Sequence, residues 1–132
     1  KVRKKKKTER QLAKLALDDA QRSYMYALKG KHCVVCGNGP EHGVVIEWGH
    51  LFSSYNLSTR WEIDNTWPQD RGCNLRHEYD WEPMRKAVVQ RIGEEAYERL
   101  YRKHRTPVKY TTQDLRELAE HYRRLTQEIK AQ

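Results

Sequence analysis

The sequence predicts a mainly helical α+β protein in which a zinc-stabilised ββα core lies between helical segments. Apolar residues recur at three- and four-residue intervals in both terminal thirds, which is typical of amphipathic helices. The middle of the chain contains all three cysteines, all four tryptophans and a β-branched run. We therefore expect a basic flexible arm (1–7), an N-terminal helix (8–30), the zinc-containing core (31–81) and a C-terminal helical region (82–132).

The composition restricts the function classes. The 132 residues are 33% charged and 37% hydrophobic, and no run approaches the roughly 18 apolar residues of a membrane span. We expect no membrane partner and, since nothing resembles a signal peptide, a cytoplasmic location. The net charge of +8 favours a polyanionic partner, although a solvated basic surface explains such a charge equally well. Three cysteines are too few for a disulfide framework and cannot all be paired, which leaves metal or redox chemistry.

The N-terminal elements follow from charge and periodicity. Residues 1–7 are mostly Lys and Arg without apolar periodicity, so we interpret them as an arm that contacts phosphates. An amphipathic pattern begins at Thr8 and continues to about Leu28, and Gly30 ends the predicted helix.

The core is predicted to contain two strands. A β-branched run at residues 44–48 predicts the first strand, which is followed closely by His50. Residues 53–59 are polar and indicate a loop. Trp61 and Ile63 alternate with polar residues, so we place the second strand there.

Three helices are expected from Gly72 onward. Gly72 allows a tight turn into a helix of about two turns. Pro83 suits the first turn of a longer helix whose apolar stripe extends to Leu100. The motif Thr111-x-x-Asp114 resembles a capping box and begins the last helix.

Two residue pairs with the same two-residue spacing predict a zinc site. The first has the C-x-x-C spacing and the following glycine of a zinc knuckle, whereas a thioredoxin-type redox pair requires a βαβ context that is missing here. The second pair begins with Asp, and carboxylate oxygen is an accepted zinc ligand. His32 and His42 lie near the first pair and are alternatives for the fourth position. The expected structural zinc ligands are Cys33, Cys36, Asp70 and Cys73.

A histidine between the two pairs indicates phosphodiester hydrolysis. A lone His at a strand end is usually a surface residue, but His50 lies between the ligand pairs and is our candidate general base, since imidazole titrates near neutral pH. A hard divalent cation, Mg or Mn, is expected to stabilise the phosphate, with Asn74 and His77 as its ligands. Asn65 is expected to fix the loop after His50 by hydrogen bonds to its backbone, although Asp-Asn is also an ordinary turn pair.

These motifs together resemble the NinG/Rap recombination proteins of lambdoid phages. The resemblance is carried by Cys33-Val-Val-Cys36-Gly37, Gly49-His50, Arg60-Trp61, Asp64-Asn65 and Gln69-Asp70-Arg71-Gly72-Cys73-Asn74. The ligand pairs followed by Asn are more distantly similar to phage T4 endonuclease VII, and both groups are HNH or His-Me finger nucleases. The family implies a structural zinc, a catalytic Mg or Mn ion, and cleavage of branched intermediates such as Holliday junctions and D-loops in the cytoplasm of the host.

The resemblance also implies roles for single residues. Many HNH enzymes have a metal-binding Asp directly before the base, where this chain has Gly49, so Glu47 or His77 is expected to replace that ligand. The general base, the middle Asn of the motif and the metal-binding third position fall on His50, Asn65 and Asn74.

The leading expectation is a metal-dependent endonuclease acting on branched DNA. An HNH nuclease that nicks ordinary duplex is the first alternative, and a non-catalytic zinc-stabilised DNA-binding module is the second, although a binding module has no need of the His and two Asn. We expect a homodimer, formed through the last two helices, because resolving a junction takes two symmetric cuts. The expected DNA contacts are Lys4, Lys5, Lys6, Lys7, Arg60, Arg71 and Arg76.

Overall fold

The computed structural model describes residues 5–132, which form a mainly helical α+β fold with a two-stranded sheet. Lys4, one of the expected DNA contacts, lies outside the described residues. The elements in chain order are α1 (Glu9–Lys29), β1 (Ile46–His50), α2 (Leu57–Arg60), β2 (Thr66–Asp70), α3 (Arg71–His77), α4 (Glu82–Ile92), α5 (Glu94–His104) and α6 (Thr112–Lys130).

Both ends of α1 agree with the sequence prediction. The Thr8 hydroxyl accepts a hydrogen bond from the Gln11 backbone N–H (3.1 Å), and the Gln11 side chain accepts one from the Thr8 N–H (2.8 Å). This reciprocal pair is a capping box that satisfies two donors at the start of the helix. Gly30 ends α1 with a φ of +79°, and its N–H donates to the Tyr26 carbonyl (2.9 Å). The predicted N-terminal helix is thus confirmed.

The sheet is antiparallel, and His50 lies opposite Thr66 at one of its ends. β1 is displaced by two residues from the predicted 44–48 and therefore includes His50 as its last residue. Pro68 in β2 has no N–H for the strand ladder, which a sheet of two edge strands tolerates. Its carbonyl accepts a hydrogen bond from the Val34 backbone N–H (2.9 Å), which ties the preceding segment to β2.

The second strand predicted at Trp61 and Ile63 is wrong. The polar segment before them contains the short helix α2, because the Asn56 side chain caps it by accepting a hydrogen bond from the Ser58 N–H (3.1 Å). Trp61 is buried in the core between α1 and α6, so its apolar character reflects helix packing rather than a sheet face. Ile63 lies in a 3₁₀ turn that leads into the actual strand.

The single helix predicted from Pro83 to Leu100 is two helices, α4 and α5. Gly93 separates them with a φ of +86°, a backbone conformation that favours glycine. The Gly93 N–H ends α4 by donating to the Val89 carbonyl (2.8 Å). The apolar pattern continues across the break because Val88 and Leu100 are buried in the same cluster.

The terminal helices pack along one another in the same direction. The capping box predicted at Thr111 is confirmed. Near the starts of the two helices Arg116 pairs with Glu9 (3.6 Å), and near their ends Lys130 and Ser23 line one groove. Because α1 covers the apolar stripe of α6 within the chain, this stripe is not free to form the expected dimer interface. The buried core here is Ala13, Leu17, Ala20, Trp61, Leu115, Ala119 and Tyr122.

A second core holds the segment after β1 against α4 and α5. It consists of Leu51, Phe52, Trp67, Met84, Val88 and Leu100. Leu51 and Phe52 follow His50 directly, so packing fixes the chain on the side of the sheet where β1 ends. Among the described residues, no helix combines the length and apolar character needed to cross a bilayer.

Candidate metal centre and catalytic cleft

Four side chains converge at the end of the sheet opposite His50. Cys33 and Cys36 lie in a turn before β1, Asp70 ends β2, and Cys73 lies in the first turn of α3. Their ligand atoms all lie within 4.8 Å of one another. Three sulfur atoms and one carboxylate oxygen are a donor set that suits Zn²⁺. The four residues can therefore hold a structural metal such as zinc.

Backbone hydrogen bonds shape the turn that carries the first cysteine pair. The Gly37 N–H donates to the Cys33 carbonyl (2.8 Å), and Gly37 has a φ of +80°, which explains the glycine at this position. The hydrogen bond from Val34 to Pro68 attaches the turn to β2. The first pair is therefore held beside the end of the strand that carries Asp70.

Asp70 connects the cluster to α3. One carboxylate oxygen accepts the Cys73 backbone N–H (2.7 Å) and caps the helix, while the other accepts the Cys36 thiol (2.7 Å). The Cys36 thiol and then the Cys73 N–H hold the pKa of Asp70 below its usual value. Burial, followed by proximity to Cys33, raises the pKa of the Cys73 thiol. A bound cation would reverse that shift, since it favours thiolates over thiols.

The two histidines considered as alternative ligands lie outside the cluster. His32 pairs with Glu41, and His42 accepts a hydrogen bond from the Gly39 N–H (3.0 Å). Neither belongs to the group of converging ligand atoms. Among the candidates, the geometry therefore favours Asp70 as the fourth ligand.

A cleft of about 420 Å³ brings together three of the predicted catalytic residues. It lies where β1 ends, between the following loop and α3. His50, Asn74 and His77 all line it, together with Trp81 and Tyr55. The arrangement unites a strand residue with two residues of the helix that begins at the metal centre.

His50 is held as a neutral imidazole. Its Nε2 lies 2.9 Å from the Arg60 carbonyl, and since a carbonyl only accepts, Nε2 carries the hydrogen and Nδ1 the lone pair. The Trp48 ring contacts the imidazole edge-on, with centroids 4.4 Å apart. Burial lowers the pKa of His50 to about 4, although the bond to the Arg60 carbonyl opposes this shift. The ring is therefore uncharged at pH 7 and can accept a proton.

His77 has the hydrogen-bonding pattern of a metal-binding histidine. Its Nε2 donates to the Leu51 carbonyl (2.8 Å), which leaves the lone pair on Nδ1. Nδ1 is buried and has no hydrogen-bond partner among residues 5–132. Metal-binding histidines commonly donate their second ring N–H to a carbonyl in this way. The Trp81 indole donates to the same carbonyl (3.2 Å) and supports the loop at this point.

Asn74 is oriented by Glu47. The Asn74 side-chain nitrogen donates to one Glu47 oxygen (3.0 Å), and the Arg71 guanidinium donates to the other (3.2 Å). Because a carboxylate only accepts, the amide nitrogen must face Glu47, which directs the amide oxygen of Asn74 the other way. Both carboxylate oxygens of Glu47 are thus already engaged within the fold. The expectation that it replaces the missing Asp as a ligand therefore fits less well than a role in positioning Asn74.

Asn65 fastens the loop after β1. Its side-chain oxygen accepts the Phe52 N–H (2.8 Å), and its nitrogen donates to the Phe52 and Thr59 carbonyls (both 3.0 Å). The residue is fully buried. These three bonds hold both ends of the loop that follows His50, which is the contact expected of Asn65 from the sequence.

Gln69 was missed by the sequence reasoning. It is fully buried, and neither its amide oxygen nor its amide nitrogen has a hydrogen-bond partner among the described residues. Its side chain fills the space beside Gly49, where a Cβ would lie 2.8 Å from Gln69 Cδ and closer still to Oε1. The only indication of this in the sequence is Gly49 itself, which stands where many HNH enzymes have a metal-binding Asp.

The expected DNA contacts differ in their availability. Lys5–Lys7 are exposed, and Arg71 and Arg76 are exposed members of surface ion pairs. Arg60 is partly buried and donates to both carboxylate oxygens of Asp18 (3.0 and 2.7 Å). Asp18 balances the charge of Arg60, and this pair holds α1 against α2. A contact between Arg60 and DNA stays a prediction.

Comparison with known proteins identifies the family of the chain. No curated protein and no solved structure matches the chain, so the more distant resemblance to T4 endonuclease VII rests on the motif alone. The family model described as bacteriophage lambda NinG protein matches residues 1–132, the entire length. The chain therefore belongs to the NinG family.

Proposed function

We propose that this protein is a metal-dependent endonuclease that cleaves branched DNA intermediates of phage recombination. The observation that carries the proposal is the cleft that His50, Asn74 and His77 share. In both histidines a backbone carbonyl fixes one ring nitrogen and leaves the lone pair on the other. A module that only binds DNA has no requirement for such an arrangement.

His50 is the proposed general base. The Arg60 carbonyl holds its Nε2–H, so Nδ1 is the atom that takes a proton from the attacking water. The buried ring is neutral at pH 7 and therefore ready to accept that proton. An anionic phosphodiester in the cleft would raise the pKa of His50 towards the range in which a base is most effective.

Asn74 and His77 are the proposed ligands of a hard divalent cation, Mg or Mn. The residues fit such an ion, because one offers a directed amide oxygen and the other a buried lone pair without a partner. When bound, the cation would stabilise the charge on the phosphate and on the leaving oxygen. Glu47 holds the Asn74 amide in the orientation that this role requires.

The preference for branched DNA is supported by the family and by the surface around the cleft. Tyr55 lines the cleft and is 95% exposed, so its ring is free to stack on an unpaired base at a branch point. The basic Lys5–Lys7 segment favours phosphate contacts without sequence preference. Paired cuts at a junction favour a homodimer, which must use a surface other than the covered stripe of α6.

The test is cleavage of a labelled four-way junction and of a linear duplex with the same sequence. Zinc-loaded protein is assayed without added cation, with Mg and with Mn, and the His50→Gln variant is run beside the wild type. We expect cation-dependent cuts near the branch point, and a loss of about 10² to 10⁴ in rate for the variant.

Two results would count against the proposal. A wild-type protein that leaves both substrates intact with either cation would exclude the nuclease. Equal cutting of duplex and junction would leave a nuclease but refute the structural preference. Junction binding by gel shift should be the same for His50→Gln and wild type, which separates loss of chemistry from loss of binding.

A further inference from the structure

A buried amide without hydrogen bonds lies against Gly49, the residue before the proposed general base. Gln69 has no exposed surface, and both polar atoms of its amide lack a partner among residues 5–132. Buried polar groups are nearly always satisfied, so an amide that is not satisfied requires an explanation. A bound ligand is one such explanation, because amide oxygens bind hard divalent cations.

The register of the sheet places this amide on the side that faces α3. Gln69 lies opposite Glu47, and side chains of directly opposed residues project from the same face. Glu47 is on the α3 side, since it accepts the Asn74 amide. Gly49 is two residues further along β1 and shares that face, so the Gln69 side chain reaches across it.

The absence of a side chain at position 49 is what makes room for Gln69. A Cβ there would lie 2.8 Å from Gln69 Cδ and 2.9 Å from Cγ, distances that real Cβ atoms do not adopt. Any larger residue at position 49 would have to displace the amide. Gly49 and Gln69 are therefore a complementary pair in which a side chain from β2 occupies the space that a side chain from β1 would otherwise fill.

We infer that the amide oxygen of Gln69 is, together with Asn74, a ligand of the catalytic divalent cation. It takes the place of the metal-binding Asp that many HNH enzymes have directly before the general base, where this chain has Gly49. The inference rests on the proposed function for the identity of the cation. It adds a residue from β2 to a site otherwise built from α3.

The first experiment measures Mn²⁺ binding directly. Zinc-loaded protein is titrated with Mn²⁺, and free Mn²⁺ is followed by its electron paramagnetic resonance signal. Gln69→Leu should raise the Mn²⁺ dissociation constant at least about tenfold. Gln69→Glu should bind Mn²⁺ as tightly as wild type or more tightly, because it supplies a carboxylate. The melting temperature of Gln69→Leu should not fall, since the substitution removes a buried amide that has no partners.

Gln21 provides the matched control. It is also a fully buried glutamine, but its amide donates to Thr66 (2.6 Å) and accepts from the Trp48 indole (2.7 Å). Gln21→Leu should therefore lower the melting temperature while leaving the Mn²⁺ dissociation constant unchanged. A Gln69→Leu variant that behaves like Gln21→Leu would show a structural role and overturn the inference.

An exchange of side chains tests the shared space. Gly49→Asp alone should reduce the melting temperature because of the contact with Gln69, and Gly49→Asp combined with Gln69→Ala should recover both folding and Mn²⁺ affinity to within about tenfold of wild type. A Gly49→Asp single variant with wild-type stability would show that Gln69 does not occupy this place.

The outcomes separate this inference from the proposed function. If wild type and Gln69→Leu bind Mn²⁺ equally and wild type cuts the junction, the inference fails while the nuclease stands. If wild type binds Mn²⁺ through Gln69 but cuts no DNA, the ligand assignment stands while the nuclease fails. If the zinc-loaded wild type binds no Mn²⁺, the ligand assignment is overturned.

Discussion

Replacing His50 with glutamine should make the folded protein less sensitive to acid. In the native protein burial lowers the pKa of His50 to about 4 from its ordinary value of 6.5. Between these two values the unfolded chain binds more protons than the native protein, so the free energy of unfolding decreases as the pH falls through this window. The stabilisation is fully present above pH 6.5 and is lost progressively down to about pH 4.

The two pKa values set the size of the effect. One pKa unit is worth about 1.4 kcal/mol, so the full difference corresponds to about 3 kcal/mol, of which about 2 kcal/mol is lost by about pH 5. Urea unfolding of wild type and His50→Gln at several pH values isolates this contribution, since the other titrating groups are common to both. Between about pH 7.5 and about pH 5, the unfolding free energy of wild type should fall by about 2 kcal/mol more than that of His50→Gln. Parallel pH profiles would refute the neutral, buried state of His50 and with it the assignment of Nδ1 as the base.

Three further predictions concern the metal centre, the loop and the arm. Asp70→Asn keeps an oxygen that caps α3 but removes the charge, so zinc affinity measured by chelator competition should fall. Asp70→Cys should raise the zinc affinity. Unchanged affinity in both variants would remove Asp70 from the ligand set. Asn65→Ala leaves the loop atoms of Phe52 and Thr59 without partners, so urea titration should show a loss of about 3 kcal/mol, and a loss under about 1 kcal/mol would mean that water replaces the amide. Removing residues 1–7 should reduce the salt dependence of DNA binding by about 0.9 in log-log slope per lost phosphate contact, and equal slopes would make the arm a solubilising tail.

Elements with a complete local signal could be predicted from the sequence. Helices α1 and α6 both begin at a threonine whose reciprocal partner lies three residues later, and such capping depends only on neighbouring residues. The four candidate zinc ligands could likewise be predicted, because each of the two pairs has a short, recognisable spacing whatever fold brings the pairs together.

Elements decided by distant contacts could not be predicted. The alternation at Trp61 and Ile63 resembles a strand locally, yet Trp61 is buried by helices from the two ends of the chain. The actual second strand contains Pro68, which local rules disfavour, and forms because its partner strand is available. Gln69 has no signal of its own in the sequence, since neither its burial nor its missing hydrogen bonds can be known before the packing is known.

The metal centre and the cleft are joined by a single short helix. Asp70 ends β2, caps α3 and belongs to the candidate zinc ligands, and Cys73 and Asn74 are consecutive residues of that helix. A seven-residue helix is too short to be stable alone, so its position depends on what holds its first turn. Zinc bound by residues on both sides of the sheet end would hold that turn, and thereby set where Asn74 and His77 meet His50. The candidate metal centre and the proposed catalytic site are thus coupled through the backbone of α3. Loss of the first should therefore disorganise the second, although the two share no ligand.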